Sequence, residues 1–370
     1  MASGRGGDLF AGVMSGTSLD GIDAVVADFG HGCRLLAATH IEFPSELRRE
    51  LLSLQQSGPD EIVRAARAAN ALADLYAHAI RSVCMAGGIE THDLVAAGVH
   101  GQTIRHRPHE GWTSQLNNPS RVAEKAYATV VADFRMRDIA AGGHGAPLVP
   151  AFHAAMFRDA QHHRVVANLG GIGNITDLPP RGAVRGFDTG PGNVLLDAWH
   201  ARHRGGPFDA GGAFAATGSV DHALLQAMLR EPYFAAPPPK STGRDLFNAA
   251  WLDRFAAGFM GAAQDMQATL AELTAQSLAR AIRDHCAGAA ELYLCGGGAR
   301  NPDLVRRIAD ALPNVRVAPT DAIGVASADV EALAFAWLAR ETIAGRPGNV
   351  PEVTGANGPR VLGAIYPRGA

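Results

Sequence analysis

Gly12-Val13-Met14-Ser15-Gly16-Thr17-Ser18-Leu19-Asp20-Gly21-Ile22-Asp23 is the stretch on which the reading of this chain turns. An apolar run, Leu9 to Met14, enters it and another, Ile22 to Phe29, leaves it, with small, hydroxylated and acidic residues between. That pattern predicts a β-hairpin whose tip carries function. Gly16 and Gly21 would let the backbone turn at positive φ, and exposed N–H groups with the Ser15, Thr17 and Ser18 hydroxyls can donate to phosphate oxygens. Asp20 and Asp23 would repel a bare phosphate, so a Mg2+ ion between them and a nucleotide reconciles the two. From composition alone, a solvated Gly-Ser turn fits the same residues.

Working outward, the pattern recurs. Arg164 to Leu169 predicts a strand, Gly170-Gly171-Ile172-Gly173-Asn174 a tight turn, Ile175 to Leu178 a return strand and Val184 to Phe187 a third, with a helix from about Asn193 to Arg204. Strand, glycine hairpin, strand, strand, helix thus appears twice, which predicts an α/β chain of two similar domains. Their hairpins would grip one polyphosphate from both sides of a cleft. An accidental likeness between two ordinary βββα orders is the alternative.

The length and composition agree. With 370 residues the chain exceeds the roughly 250 to 300 at which single cores stop growing. A hydrophobic fraction of 47% and a net charge of -3 are ordinary for a globular protein and suggest no polyanion-binding surface, and no apolar run reaches the length of a bilayer span. We therefore expect a cytoplasmic protein with no nucleic-acid or membrane partner. The four cysteines form no Cys-x-x-Cys pair, so neither a disulfide framework nor a zinc site is expected.

Between the hairpins, helices are expected at Ser45, capped by that residue, and from Pro59 to about Met85 with Ile62, Leu72, Tyr76 and Ile80 on one buried face. The strand Leu94 to Val99 delivers His100-Gly101-Gln102-Thr103 to a turn, at the strand end where ligands of α/β sheets bind. His100 reads as well as a solvated or capping turn residue. The strand Thr129 to Ala132 runs into Asp133-Phe134-Arg135-Met136-Arg137-Asp138. If that segment is extended, Arg135 and Arg137 share one side, either for an anionic ligand or for pairing with Asp133 and Asp138.

In the second half, the third strand ends in Asp188-Thr189-Gly190-Pro191-Gly192-Asn193, just ahead of a helix N-terminus that favours anions. Asp188 is the chain's best candidate for a general base, with capping of that helix as the other reading. Cys295-Gly296-Gly297-Gly298 follows a buried strand, opens a helix at Pro302 with Asn301 as cap, and would let a flat ring lie against bare backbone. Glu331 stands near the start of an apolar helix, where it either favours the helix dipole or faces the cleft. Val361 to Tyr366 reads as an edge strand returning to the first domain. No Gly-x-Gly-x-x-Gly dinucleotide fingerprint or Walker-type loop is matched.

Taken in order, Ser15 to Asp23, His100 to Thr103, Asp133-Phe134-Arg135 with Asp138 and Gly145 to Pro150, Phe187 to Asn193, Lys240-Ser241-Thr242-Gly243-Arg244 and Cys295 to Gly298 resemble the motif set of the anhydro-N-acetylmuramic acid kinase family, over nearly the whole chain. The resemblance implies two ribonuclease H-like domains, duplicated βββαβα-type units flanking a nucleotide-binding cleft, as in sugar kinases, actin and the heat-shock chaperone ATPases. We place domain I at 1–133 and 347–370 and domain II at 134–346.

The resemblance also implies the reaction: ATP, water and 1,6-anhydro-N-acetylmuramic acid give N-acetylmuramic acid 6-phosphate and ADP, a step of peptidoglycan recycling. It implies that Gly16, Thr17, Ser18, Leu19, Asp20, Gly21, Ile22 and Asp23 hold the ATP phosphates. Asn168, Gly170, Gly171, Gly296, Gly297 and Gly298 complete the nucleotide site, and Asp20 and Asp23 meet Mg2+. Asp188 would deprotonate the attacking water. His100, Gly101, Gln102, Thr103, Arg137 and Glu331 would contact the sugar, and a homodimer is compatible with the resemblance. One departure is His144, where relatives often carry Gln. Another sugar or acyl-phosphate kinase of this superfamily, or an actin-like ATPase, is the alternative reading.

Overall fold

The computed structural model describes residues 8–16, 19 and 21–369. Thr17, Ser18 and Asp20, all expected at the phosphate turn, lie outside the described residues. The chain divides into two compact units, 1–152 with 329–370, and 153–328.

Unit 1 is built on β1 (Leu9–Met14), β2 (Gly21–Asp28), β3 (Arg34–Glu42), β4 (Ala96–Val99), the hairpin β5 (Gln102–Arg107) and β6 (Trp112–Leu116), and β7 (Val130–Ala132). Its six-stranded sheet runs β3-β2-β1-β4-β7 and ends on the C-terminal strand Ala364–Tyr366. β1, β2 and β3 are antiparallel neighbours, whereas β4 lies parallel to β1 and β7 parallel to β4. The expected returning edge strand is therefore present, antiparallel to β7.

Alternation along β1 separates two faces. Ala11 and Val13 join the core with Leu72, Tyr76, Ile80 and Val83 of the helix Glu61–Ala86. On the other face Gly12 of β1 lies in register with Gly98 of β4. A Cβ at Gly12 would stand 2.6 Å from the Ala336 nitrogen, and one at Gly98 would stand 2.8 Å from the Phe335 carbonyl carbon. Two strand-interior glycines thus let the backbone of the helix Val330–Ile343 rest directly on the sheet.

That close approach moves the unit boundaries. The helix Val330–Ile343 and the segment 134–152 belong with unit 1, not with the second domain drawn from sequence at 134–346. Ile62 differs too: it is exposed, because the buried side of its helix begins only at Ala68. Ser45 opens its helix without a side-chain capping bond, the cap position being Pro44.

Unit 2 repeats the plan. β8 (Arg164–Leu169), β9 (Ile172–Leu178), β10 (Arg185–Pro191), β11 (Glu291–Cys295) and β12 (Arg316–Pro319) form one sheet in the order β10-β9-β8-β11-β12. The first three are antiparallel and β11 and β12 run parallel to β8. Both sheets therefore follow third-second-first-fourth-fifth, the ribonuclease H-like arrangement, so the duplication read from the two glycine hairpins is a duplication of topology. In unit 2, Val165, Ala167, Leu292 and Leu294 pack with Leu278 and Ile282 of the helix Ala263–His285 and with Leu304 and Ile308 of the helix Pro302–Ala311. No helix among the described residues is long and apolar enough to cross a membrane.

Candidate active site

In unit 1 the expected residues gather at the carboxyl ends of the parallel strands β1, β4 and β7, the edge of an α/β sheet where ligands bind. Ser15 follows β1. It is buried, its hydroxyl 2.8 Å from the Tyr76 hydroxyl and donating to the Gly101 carbonyl at 3.3 Å. Gln102 is fully buried and donates from Nε2 to the Gly16 carbonyl at 3.1 Å, which ties the start of the phosphate turn to the turn after β4. Thr103 accepts from Gln115 within the β5–β6 hairpin.

Gly21 opens β2 and does not adopt positive φ. The left-handed residue of the described turn is Leu19, at φ 56. Gly21 is small for a different reason: a Cβ there would meet the His40 ring at 2.7 Å. His40 Nδ1 lies 2.7 Å from Asp23 Oδ1, and both side chains are about half exposed, at 46% and 49%. Asp23 thus offers one carboxylate with an oxygen already engaged. Mg2+ in kinases is bound through only one or two carboxylates plus phosphate oxygens, a donor set Asp23 fits. Among the described residues no group of three or more His, Cys, Asp or Glu could by itself hold a metal.

His100 is where the site becomes a network. Its backbone N–H donates to Val13 O, the parallel-strand contact that sets His100 beside Ser15. Arg135 Nε donates to His100 Nε2 at 3.0 Å, so the imidazole is an acceptor there and its proton belongs on Nδ1. Burial, with the Arg135 charge adding to it, holds the His100 pKa well below its ordinary value, while the Ser15 and Gly101 backbone works in the opposite sense. His100 is therefore a neutral hydrogen-bonding group rather than a proton donor at physiological pH. Arg135 also donates to Gly145 O at 2.7 Å, and burial lowers its pKa to about 10 against the attraction of Glu331 and Asp138.

The two arginines do not share one side of an extended segment. The chain leaves β7 through Asp133, left-handed at φ 61, and Met136–Ala140 is a helix. Arg135 turns inward to His100. Arg137 is exposed and lines a shallow hollow of about 300 Å3 with Asp133, Met136, Ala140 and Gly363. Asp138 pairs with neither arginine side chain by hydrogen bond: buried, it accepts from Gly145 N–H, Asn349 Nδ2 and Thr354 Oγ1 at 2.7 to 2.8 Å. Glu331, in the first turn of its helix, acts electrostatically on Arg135. His144 donates its backbone N–H to Thr354 O, and its ring meets the edge of His109 at 5.4 Å.

In unit 2, Asp188 lies within β10 rather than past its end, at a β-bulge between Asp188 and Gly190. Bulges bend a strand and re-aim a side chain. Asp188 caps no helix; the helix Val194–Arg204 begins after Asn193. Its carboxylate Oδ2 instead accepts from Thr242 N–H at 3.0 Å, its backbone N–H donates to Lys240 O at 3.2 Å, and its carbonyl accepts from the Tyr233 hydroxyl at 2.7 Å. Burial pushes its pKa up to about 6, with the Thr242 N–H pulling the other way. Such a carboxylate is poised for general-base work near neutral pH.

The glycine turn after β8 is spent on structure. Gly170 O accepts from Asn193 N–H and Gly171 O from Gly192 and Val194 N–H, so these first amides of the helix are not free for an anion. Asn193 Nδ2 adds a bond to Leu169 O. Asn168, at the end of β8, pairs in register with Cys295 of β11. Gly296 sits at φ 78, a Cβ on Gly298 would meet Leu169 Cβ at 2.6 Å, and at Gly297 the nearest atom would be 3.8 Å away. Of the three, Gly297 alone is exposed and leaves ordinary van der Waals room for a Cβ. Asn301 caps the following helix through Leu304 N–H, as expected.

Sequence reasoning offered Arg135 only alongside Arg137, for an anionic ligand or for pairing with Asp133 and Asp138, and passed over Tyr233, Lys240 and Thr242. Lys240 and Thr242 stand in a motif that drew notice without a role; Tyr233 carries no local signal at all.

The family model described as anhydro-N-acetylmuramic acid kinase matches residues 8–368. Curated proteins of that name from Thiobacillus denitrificans and Cupriavidus pinatubonensis are each 56% identical to this chain, over 97% of it and 97% of the relative in the first case and over 98% and 99% in the second. Among solved structures, the activator of the 2-hydroxyisocaproyl-CoA dehydratase from Clostridium difficile with bound ADPNP resembles the chain at 12% identity and a TM-score of 0.46, covering 90% of this chain and 94% of that one.

Proposed function

The chain belongs to the anhydro-N-acetylmuramic acid kinase family, and from that premise we propose that it opens the 1,6-anhydro ring of 1,6-anhydro-N-acetylmuramic acid and phosphorylates O6 with ATP. Asp188 takes a proton from water as its oxygen bonds to C1. The C1–O6 bond breaks, O6 attacks the γ-phosphorus, and ADP leaves, giving N-acetylmuramic acid 6-phosphate. The observation that carries this reading is the Asp188 carboxylate, bulge-mounted, mostly buried and with its pKa raised to about 6.

The other roles are assigned residue by residue. Gly16 to Asp23 hold the phosphates, and the exposed Gly297 offers backbone to the nucleotide base, flanked by Asn168, Gly170, Gly171, Gly296 and Gly298. His100, Gly101, Gln102 and Thr103, with Arg135 behind His100 and Glu331 beside Arg135, present to the sugar a neutral imidazole, whose Nδ1–H is the donor left once Nε2 accepts from Arg135, and a charge pair. Arg137 contacts sugar from its exposed position. Mg2+ would be held by Asp23 and Asp20 with the phosphates, where it neutralises charge on the transferring group. The setting is cytoplasmic peptidoglycan recycling.

The test is sugar-dependent ADP release by wild type and Asp188→Asn. Wild type is expected to release ADP with the anhydro sugar and not with its reducing counterpart. D188N is expected to bind ATP yet release none. Unchanged turnover in D188N rejects the assigned base.

A further inference from the structure

We propose that Lys240 and Tyr233 are positioning residues that together hold the Asp188 carboxylate in its working orientation, leaving Oδ1 as the oxygen that receives the proton. This rests on the reading of Asp188 as the base. β10 is the edge strand of its sheet, so the backbone groups of Asp188 that face away from β9 have no ladder partner. Two outside segments take their place. The loop 240–242 accepts from Asp188 N–H through Lys240 O and donates to Oδ2 through Thr242 N–H; Tyr233 donates its hydroxyl to Asp188 O. The residue is gripped at three atoms while Oδ1 carries no hydrogen bond from the described residues.

The Lys240 side chain joins the two grips. Its Nζ donates to Tyr233 O at 3.2 Å and Phe234 O at 3.4 Å, and lies 4.8 Å from the Tyr233 ring centroid. Those carbonyls belong to the short helix Pro232–Ala235, where Tyr233 O already accepts from Ala236 N–H and takes Lys240 as a second donor. Among the described residues Lys240 makes no salt bridge, and its ammonium meets the two carbonyls and the Tyr233 ring. Phe234 closes the arrangement from the same helix: a Cβ on Gly190 would meet its ring at 2.6 Å, so the glycine after the bulge lets the helix seat against β10. Base, bulge, helix and loop are thus one interlocked piece, and a displacement of about 1 Å at a catalytic group can cost about a hundredfold in rate.

Lys240→Met keeps the aliphatic stem and removes the three donors; Tyr233→Phe keeps the ring and removes the hydroxyl. Each is expected to lower kcat by about 10- to 100-fold with KM for ATP and for the anhydro sugar unchanged, and the double variant is expected to be no worse than the poorer single. Lys240→Arg should restore most of kcat. The acid limb of the kcat/KM profile should move to higher pH in K240M, since the Thr242 N–H that favours ionised Asp188 is loosened. The titratable groups nearby are Tyr233, which faces Asp188 and Asp245, Lys240, which faces Arg280 and Asp284, and His285, which feels Lys240, Asp284, Arg185 and Arg280. Should K240M fail to fold, Y233F decides. Wild-type kcat in both variants, or a raised KM with kcat held, overturns the proposal. D188N separates this from the reading beneath it: an active D188N removes the base itself, whereas a dead D188N beside fully active K240M and Y233F removes only the clamp.

Discussion

Asp188→Asn should make the protein more stable, and more so at alkaline pH. In the folded chain burial raises the Asp188 pKa from 3.8 to about 6. A raised carboxyl pKa means that ionisation disfavours the folded state: the cost is absent below the unfolded value and fully present above the folded one. A shift of about two units, at about 1.36 kcal/mol each, amounts to roughly 3 kcal/mol at pH 8. Asparagine mimics the protonated acid, can still accept from Thr242 N–H, and escapes that cost. Urea unfolding of wild type and D188N at pH 8 should therefore show D188N ahead by up to about 3 kcal/mol, with the gap shrinking below about 1 kcal/mol at pH 4. The same ionisation should appear in wild-type kcat/KM as an acid limb near pH 6. A gap that is equal at both pH values, or a wild type that is the more stable at pH 8, would refute the burial argument.

Asp138→Ala should orphan three donors, Gly145 N–H, the Asn349 amide and the Thr354 hydroxyl. At about 1 to 3 kcal/mol per unsatisfied buried donor the loss is several kcal/mol, read as a lower urea midpoint; a midpoint equal to wild type would count against the network. Asp138→Asn can keep the two bonds to Oδ1 and should lose only the Gly145 bond, a milder effect. Gly98→Ala should cost about 1 to 3 kcal/mol or more through its collision with Phe335, while Gly297→Ala should leave thermal stability unchanged and raise KM for ATP. A thermally neutral G98A would show that the helix Val330–Ile343 can draw back from the sheet.

How far the sequence could be read depends on the distance over which each signal acts. Both glycine hairpins and the polar strand ends were legible because strand, turn and next strand lie within a few dozen residues. Asp188 was legible for the same reason, yet not the bulge that aims it or its grip, since Tyr233 and Thr242 reach it from 45 and 54 residues away. Arg135 and Arg137 were misread through one residue: Asp133 at φ 61 ends the extended run, and alternation gives way to a helix that sends the two side chains apart. Gly12 and Gly98 lie in sequence inside the apolar runs Leu9 to Met14 and Leu94 to Val99 with nothing to mark them. Only their register with one another, 86 positions apart, reveals a seat for the helix Val330–Ile343 and so the unit to which Glu331 belongs.

Asp138 makes the same point from the opposite direction. A buried acid four residues from a turn and more than 200 from its other partners had no catalytic task to find, and pairing with arginine was the natural expectation. Its oxygens bind the segment 349–354 to the Gly145 turn, Gly145 O receives Arg135, and Arg135 fixes the tautomer of His100. The neutrality of His100, which decides that it can share its Nδ1–H in a hydrogen bond but not act as an acid, is therefore set by burial together with a guanidinium that the C-terminal segment helps to hold. In both units the residue proposed to meet the ligand is readable locally, and its protonation state is not, because that is fixed by burial and by partners which only folding brings together.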